Sequence, residues 1–218
     1  MKHIAIVCSG HIRSFDKCYP TWTRENLRLD EDIHIQYFSI YWDEGKKPEF
    51  GDPVIYRSLS FIEYKETFDK QKDELLDLTR KKPSFDFPER TFSKDYLRLI
   101  AYEELVKYEE LHNIQFDYVI YIRYDTCIVS PLPEDIYNEN ILFYPEYLSY
   151  GIFSDVLVIL PRKYTEAFLC TYHFITEVHT TKNTTPDRIC PHETLKLIMD
   201  KHHVQTKCRN FNITIIRE

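Results

Sequence analysis

The chain has 218 residues with 43% hydrophobic content, enough for the core of one sizeable α/β domain, and no linker divides residues 1–218. A net charge of -7 disfavours a nucleic-acid partner, and no apolar stretch approaches the length of a membrane span. Six cysteines, at positions 8, 18, 127, 170, 190 and 208, show no CxxC spacing, which argues against a zinc site and for packed, reduced thiols. With an N-terminus that turns polar too quickly for a signal peptide, this predicts a cytoplasmic protein.

His3 to Cys8 reads as a first strand, followed by a turn at Ser9-Gly10-His11 and a helix over about Asp16 to Leu29. With only 4 glycines in the chain, Gly10 in that turn points to a backbone role. Ile33, Ile35 and Tyr37 alternate, which predicts a second strand through Ile40, and Tyr41 to Gly45 then turns. Pro53 to Arg57 is a short strand candidate. Glu63 to Thr79 reads as a helix with Tyr64, Phe68, Leu75 and Leu76 on one side, and Lys81 to Arg90, with two prolines and mixed charge, as a mobile loop. Ser93 as N-cap, Asp95 in the first turn and Leu97, Ala101, Leu105 and Tyr108 at helical spacing predict the next helix, ended by Asn113.

Tyr118 to Ile122, rich in β-branched and aromatic residues, reads as a buried strand that stops abruptly at Arg123-Tyr124-Asp125. Ser130-Pro131-Leu132-Pro133 breaks the chain, and Ile141 to Tyr144 and Val156 to Leu160 are further strands. Tyr164, Phe168, Tyr172 and Ile175 mark a helix, Leu195, Ile198 and Met199 a short one, and Ile213 to Ile216 a last strand. Strands alternating with helices predict a Rossmann-like α/β/α sandwich with a mostly parallel central sheet.

Asp125 stands at the carboxyl end of a buried strand, where open α/β sheets hold ligands. A hard oxygen ligand there can bind a divalent ion that bridges a diphosphate, or simply cap the next turn. The segment Cys8-Ser9-Gly10-His11-Ile12-Arg13-Ser14 supports two functional readings beside a plain strand-to-helix turn with Arg13 in a surface ion pair. In one, Gly10 lets backbone amides approach a ligand and Arg13 forks onto a diphosphate. In the other, Cys8 is a nucleophile and Arg13 holds a phosphate. That arrangement resembles low-molecular-weight tyrosine phosphatases, but one residue is missing between Cys8 and Arg13, and a cradle of consecutive amides tolerates a deletion badly.

Asp155, entering a strand beside Phe153 and Ser154, can face a sugar or act as a general base, or sit solvated at the strand edge. In Pro191-His192-Glu193, His192 can reach a metal as a neutral imidazole. Glu193 can bind a sugar hydroxyl or serve as base, or simply favour a first helical turn. Trp42, between Tyr41 and Asp43, can stack on a nucleobase or fill the core, and Arg98, one turn past Ser93, can face phosphates or solvent. His202 and His203 read as a helix end.

Several of these pieces recur in a fixed order: the first strand with Ser9-Gly10-His11-Ile12-Arg13-Ser14-Phe15 and Cys18-Tyr19-Pro20, the helix end Tyr108-Glu109-Glu110, the run from Phe116-Asp117-Tyr118 through Arg123-Tyr124-Asp125, and the Asp155 strand. The set resembles the small GT-A-type glycosyltransferases of bacterial surface-polysaccharide clusters and large DNA viruses, over most of the chain. The resemblance implies a nucleotide-diphosphate-sugar donor, UDP- or GDP-linked, held mainly by residues 1–115, and a glycan or glycoprotein acceptor held mainly by residues 116–218. For a viral protein the compartment would be the host cytoplasm.

Ser9, Gly10, His11 and Arg13, with Trp42, Arg98 and Arg123, would bind the nucleotide sugar. Asp125 and His192 would hold Mn²⁺ or Mg²⁺, and Asp155 and Glu193 would be the catalytic pair. Arg123 stands where the family's Asp-x-Asp has its first acid, and a cation there can pair with Asp125 or touch phosphate directly, which leaves the role of the metal open. A cysteine-nucleophile phosphatase and a non-catalytic nucleotide-sugar-binding module are the alternatives.

Overall fold

In the computed structural model, residues 2–60, 62, 88–146, 153–180 and 191–217 are described. The helix expected over Glu63 to Thr79 and most of the expected loop from Lys81 to Arg90 lie outside them.

Strand β1 (His3–Gly10) runs through the middle of a seven-stranded sheet. Its neighbours are β2 (His34–Trp42) and β4 (Tyr118–Ile122), both parallel to it, with Ile6 opposite Tyr37 on one side and Ile120 on the other. β3 (Val54–Leu59) adds to β2 in parallel. Beyond β4 lie β7 (Leu157–Pro161), β6 (Leu142–Pro145) and β8 (Thr206–Arg209). β7 is antiparallel to both β4 and β6, and β6 is parallel to β8. The sheet is therefore mixed, and β7 is the strand that departs from the parallel arrangement expected. A separate two-stranded ribbon pairs β5 (Thr126–Ile128) with β9 (Ile213–Ile215).

Alternation along β1 sends Ala5 and Val7 to one face and Ile4, Ile6 and Cys8 to the other, and all five are buried. The first face carries the helices: α2 (Pro88–His112), α3 (Thr165–Leu169), α4 (Thr171–Thr180) and α5 (Pro191–Lys201). Leu97, Ala101, Leu105, Phe168, Ile175, Leu195 and Ile198 from these helices pack on it. The other face is covered by the four-residue helix α1 (Phe15–Cys18), the irregular chain through Leu29 and the β5–β9 ribbon, with Phe15, Trp22, Leu27 and Ile128 filling the second core.

Several expected elements are shorter or shifted. The helix expected over Asp16 to Leu29 stops at Cys18 and continues as a single 3₁₀ turn, Tyr19–Thr21. Pro20 lies in that turn, and its ring and missing N–H do not allow an α-helix to run on. β2 extends through Tyr41 and Trp42, which were expected to turn. α2 begins at Pro88, so Ser93 lies inside the helix and does not cap it. Its other end is as expected: Asn113 takes a left-handed conformation at φ 50°, and the amide of Ile114 closes onto the Glu109 carbonyl at 3.1 Å. The helix marked by Tyr164 to Ile175 is broken at Cys170, where the Thr171 hydroxyl donates to the Phe168 carbonyl at 2.6 Å.

Candidate functional site

β1 has β2 on one flank and β4 on the other, so the chain leaves β1 in one direction and returns to its opposite side. At such a reversal the carboxyl ends of the strands open a crevice. A cleft of about 880 Å³ lies there. Seven residues singled out from sequence line it: Ser9, Gly10, His11, Arg13, Trp42, Arg123 and Asp125. Glu44, Lys46, Lys94 and Tyr121 line it as well and had not been singled out. Arg98, Asp155, His192 and Glu193 are not among its lining residues. The charged side chains of the wall are Arg13, Lys46, Lys94 and Arg123 against Glu44 and Asp125, a positive excess in a chain whose net charge is -7.

The backbone around this wall is tightly fixed. Gly10 has φ 126°, which side-chain-bearing residues rarely adopt, and Arg13 follows at φ 42°. A left-handed arginine costs on the order of 1–3 kcal/mol and persists only where its surroundings impose it. The Ser14 hydroxyl, beside it, donates to the Ile216 carbonyl at 2.9 Å, and the Ile216 amide donates to the Asp125 carbonyl at 2.9 Å. The Arg123 amide donates to the Val156 carbonyl at 3.0 Å. The ribbon and the entry to β7 thus hold Arg123 and Asp125 against the glycine turn. Tyr124, between them, is fully buried, its hydroxyl 2.8 Å from that of Ser39.

Asp125 is 1% exposed and ion-paired on both oxygens. Arg123 donates from Nε to Oδ1 at 3.0 Å and from Nη2 to Oδ2 at 2.6 Å, a two-pronged fork, and Arg13 donates from Nη1 to Oδ2 at 2.9 Å. The arginines keep 39% and 20% side-chain exposure, for Arg13 and Arg123, so both reach the cleft. This donor set does not fit a divalent ion, which needs carboxylate oxygens free to coordinate and no guanidinium pair beside it. His192, whose Nδ1–H donates to the Phe153 carbonyl at 2.7 Å, is not among the residues that line the cleft with Asp125. No group of three His, Cys, Asp or Glu side chains suited to a metal occurs among the described residues.

A second buried carboxylate lies behind Lys94. Asp155 is 1% exposed and accepts from Lys94 Nζ at 2.5 Å, with Arg98 Nη1 at 3.7 Å. Burial would raise its carboxyl, but Lys94, Arg98, His192 and Arg123 outweigh burial and hold it well below the usual carboxylate range. Arg98, which was expected to face phosphates or solvent, is 1% exposed, bonded to Asp95 and stacked near the Phe168 ring at 5.2 Å. Glu193 is half-buried, with Oε2 lacking a hydrogen-bond partner.

At the mouth of the cleft His11 Nδ1 lies 2.6 Å from Glu44 Oε1, both side chains 47% exposed. With Nδ1 donating to the carboxylate, the second ring nitrogen is left as an acceptor. Deeper in, the Ser9 and Tyr121 hydroxyls are 3.0 Å apart, and Trp42 closes the β2 side, 5% exposed. The Cys8 thiol is fully buried in the core on the face of the sheet that α1 covers, away from the cleft wall, and burial pushes it well above its ordinary range. A nucleophilic thiolate requires the reverse. No protein-family model matches the chain, and no curated protein is significantly similar to it.

Proposed function

We propose that the chain is a GT-A-type glycosyltransferase that moves a sugar from a nucleotide-diphosphate-sugar donor to a glycan or glycoprotein acceptor. The observation that carries this reading is the positively charged cleft at the carboxyl ends of β1 and β4, where Arg13 and Arg123 share the buried Asp125. The parallel run β3-β2-β1-β4 beneath it supports the same reading, because nucleotide ligands sit at such a strand reversal. In this reading Arg13, Arg123 and Lys94 take the diphosphate, Trp42 borders the nucleoside, and Asp155 acts through the cations it holds.

Transfer breaks the bond between the anomeric carbon and the diphosphate oxygen, which leaves with the electron pair. The acceptor oxygen forms the new bond and gives up its proton. In this reading His11, which lines the cleft and contacts Glu44 at 2.6 Å, takes that proton. The arginines oppose the charge that develops on the leaving diphosphate. The cysteine-phosphatase reading finds little support in a protonated Cys8 sealed in the core.

The test is incubation with UDP- and GDP-linked sugars, with and without glycan acceptors, and detection of nucleoside diphosphate and glycosylated product by mass spectrometry. We expect release of nucleoside diphosphate, lowered by about 100-fold or more in His11→Gln and unchanged in Cys8→Ser. Binding of donors without release or transfer would favour the non-catalytic binding module. No binding of any donor would overturn the proposal.

A further inference from the structure

We propose that the cleft holds its diphosphate without a divalent cation, the guanidinium groups of Arg13 and Arg123 and the ammonium of Lys94 doing the work of the ion. This rests on the transferase reading and concerns how the same site neutralises its ligand.

The argument starts from what Asp125 has left to offer. Both its oxygens already accept from arginine: Oδ1 from Arg123 Nε, Oδ2 from Arg123 Nη2 and Arg13 Nη1. An ion seated there would have to displace both guanidinium groups and then sit beside two cations that had lost their partner. An incoming phosphate meets the opposite situation. Each guanidinium carries five N–H donors in a fixed plane. Arg123 directs Nε and Nη2 to Asp125 and Arg13 directs Nη1, so the remaining edges of two forks, set by one carboxylate, can turn to the cleft. Asp125 is on this account a positioning residue, and Asp155 does the same for Lys94.

Charge agrees with the geometry. The wall carries four cations, Arg13, Lys46, Lys94 and Arg123, against Glu44 and Asp125. That positive excess, part of it offset by Asp155 behind Lys94, opposes the two negative charges of a diphosphate diester without an added ion. Arg123 at the place of the first acid of Asp-x-Asp is then a replacement of the ion by a side chain that brings positive charge to the same phosphate.

The experiment is a thermal-shift titration of the full chain with UDP, GDP and inorganic pyrophosphate, each in EDTA and in Mn²⁺. We expect stabilisation by at least one of them in EDTA, with a half-saturating concentration within about twofold of that in Mn²⁺. Arg123→Gln and Arg13→Gln should each raise that concentration roughly tenfold or more, the loss of one charge-assisted hydrogen bond, while Arg123→Lys recovers part of it.

Stabilisation that appears only with Mn²⁺ would overturn this inference and leave the transferase reading standing. No stabilisation by any nucleotide or pyrophosphate in either buffer would overturn both. If Arg123→Gln does not fold, Arg13→Gln, whose side chain is the more exposed, carries the same test, and unchanged binding in it overturns the inference.

Discussion

Asp125 shows how one side chain organises a site. Its carboxylate is buried, yet both of its arginine partners keep water on one side. Breaking a fully buried ion pair from one side costs about 3–5 kcal/mol, and partial exposure of the partners reduces this. Asp125→Asn keeps the shape and removes the charge, leaving Arg13 and Arg123 facing a neutral amide. We therefore expect it to lower the unfolding free energy by about 1–3 kcal/mol, read from urea denaturation with an unchanged slope. A variant as stable as the parent would mean that the three side chains do not hold one another. The sequence made Asp125 legible because a buried strand ends there. It also offered Arg123, two residues before it, as a partner for Asp125, but not Arg13, which comes from a turn more than a hundred residues away. Lys94 and Glu44 escaped notice for a related reason: an exposed-looking lysine on a helix and an acid in a polar turn carry no pattern until the fold brings them to one wall.

At the scale of elements, the inner strands that composition marks are present, whereas the helix expected over Asp16 to Leu29 stops at Cys18. β1, β4 and β7 read as strands because their residues are apolar on both faces, as strands in the middle of a sheet must be. β8, Thr206–Arg209, is mostly exposed and polar, so nothing in its composition announces a strand, and only its pairing with β6 makes it one. β5 and β9 are three residues each and exist through each other. Helix ends depend on single residues. Asn113 closes α2 at φ 50°, where its short polar side chain is tolerated and a β-branched one is not. Asn113→Val is expected to destabilise the protein by about 1–2 kcal/mol, and Asn113→Gly to match or exceed the parent. Thermal midpoints in that order, Val lowest, would check it. Equal midpoints would mean that the turn after α2 is not held in this conformation.

For the molecule as a whole, the two cores on either side of the sheet contain several phenols and thiols that burial keeps neutral to a higher pH than in the unfolded chain, and these shape its response to alkali. Burial pushes Tyr121 and Tyr172 up to about 12 and Cys170 up to about 12, and it raises the Cys8 and Cys18 thiols as well. An acid raised in the folded state adds stability below its unfolded value, and that stability is lost as pH climbs through the folded value. The thiols begin to withdraw support above about pH 8.5 and the tyrosines above about pH 10. Asp155 acts in the other direction. Its carboxyl is held low by Lys94, Arg98, His192 and Arg123 against the effect of burial, so its contribution is complete above about pH 4 and is lost as pH falls below that. Unfolding free energy should therefore be highest between about pH 5 and about pH 8, measured by urea denaturation across the range. Tyr121→Phe separates the two alkaline causes, because it removes an ionising group and the contact with the Ser9 hydroxyl but touches no thiol. It should lessen the decline above about pH 10 and leave the decline between about pH 8.5 and 10 as it was. If the variant instead follows the parent at every pH, Tyr121 ionises as readily in the folded chain as in the unfolded one, and the packing of Phe168 and Arg98 against its ring is looser than its burial indicates.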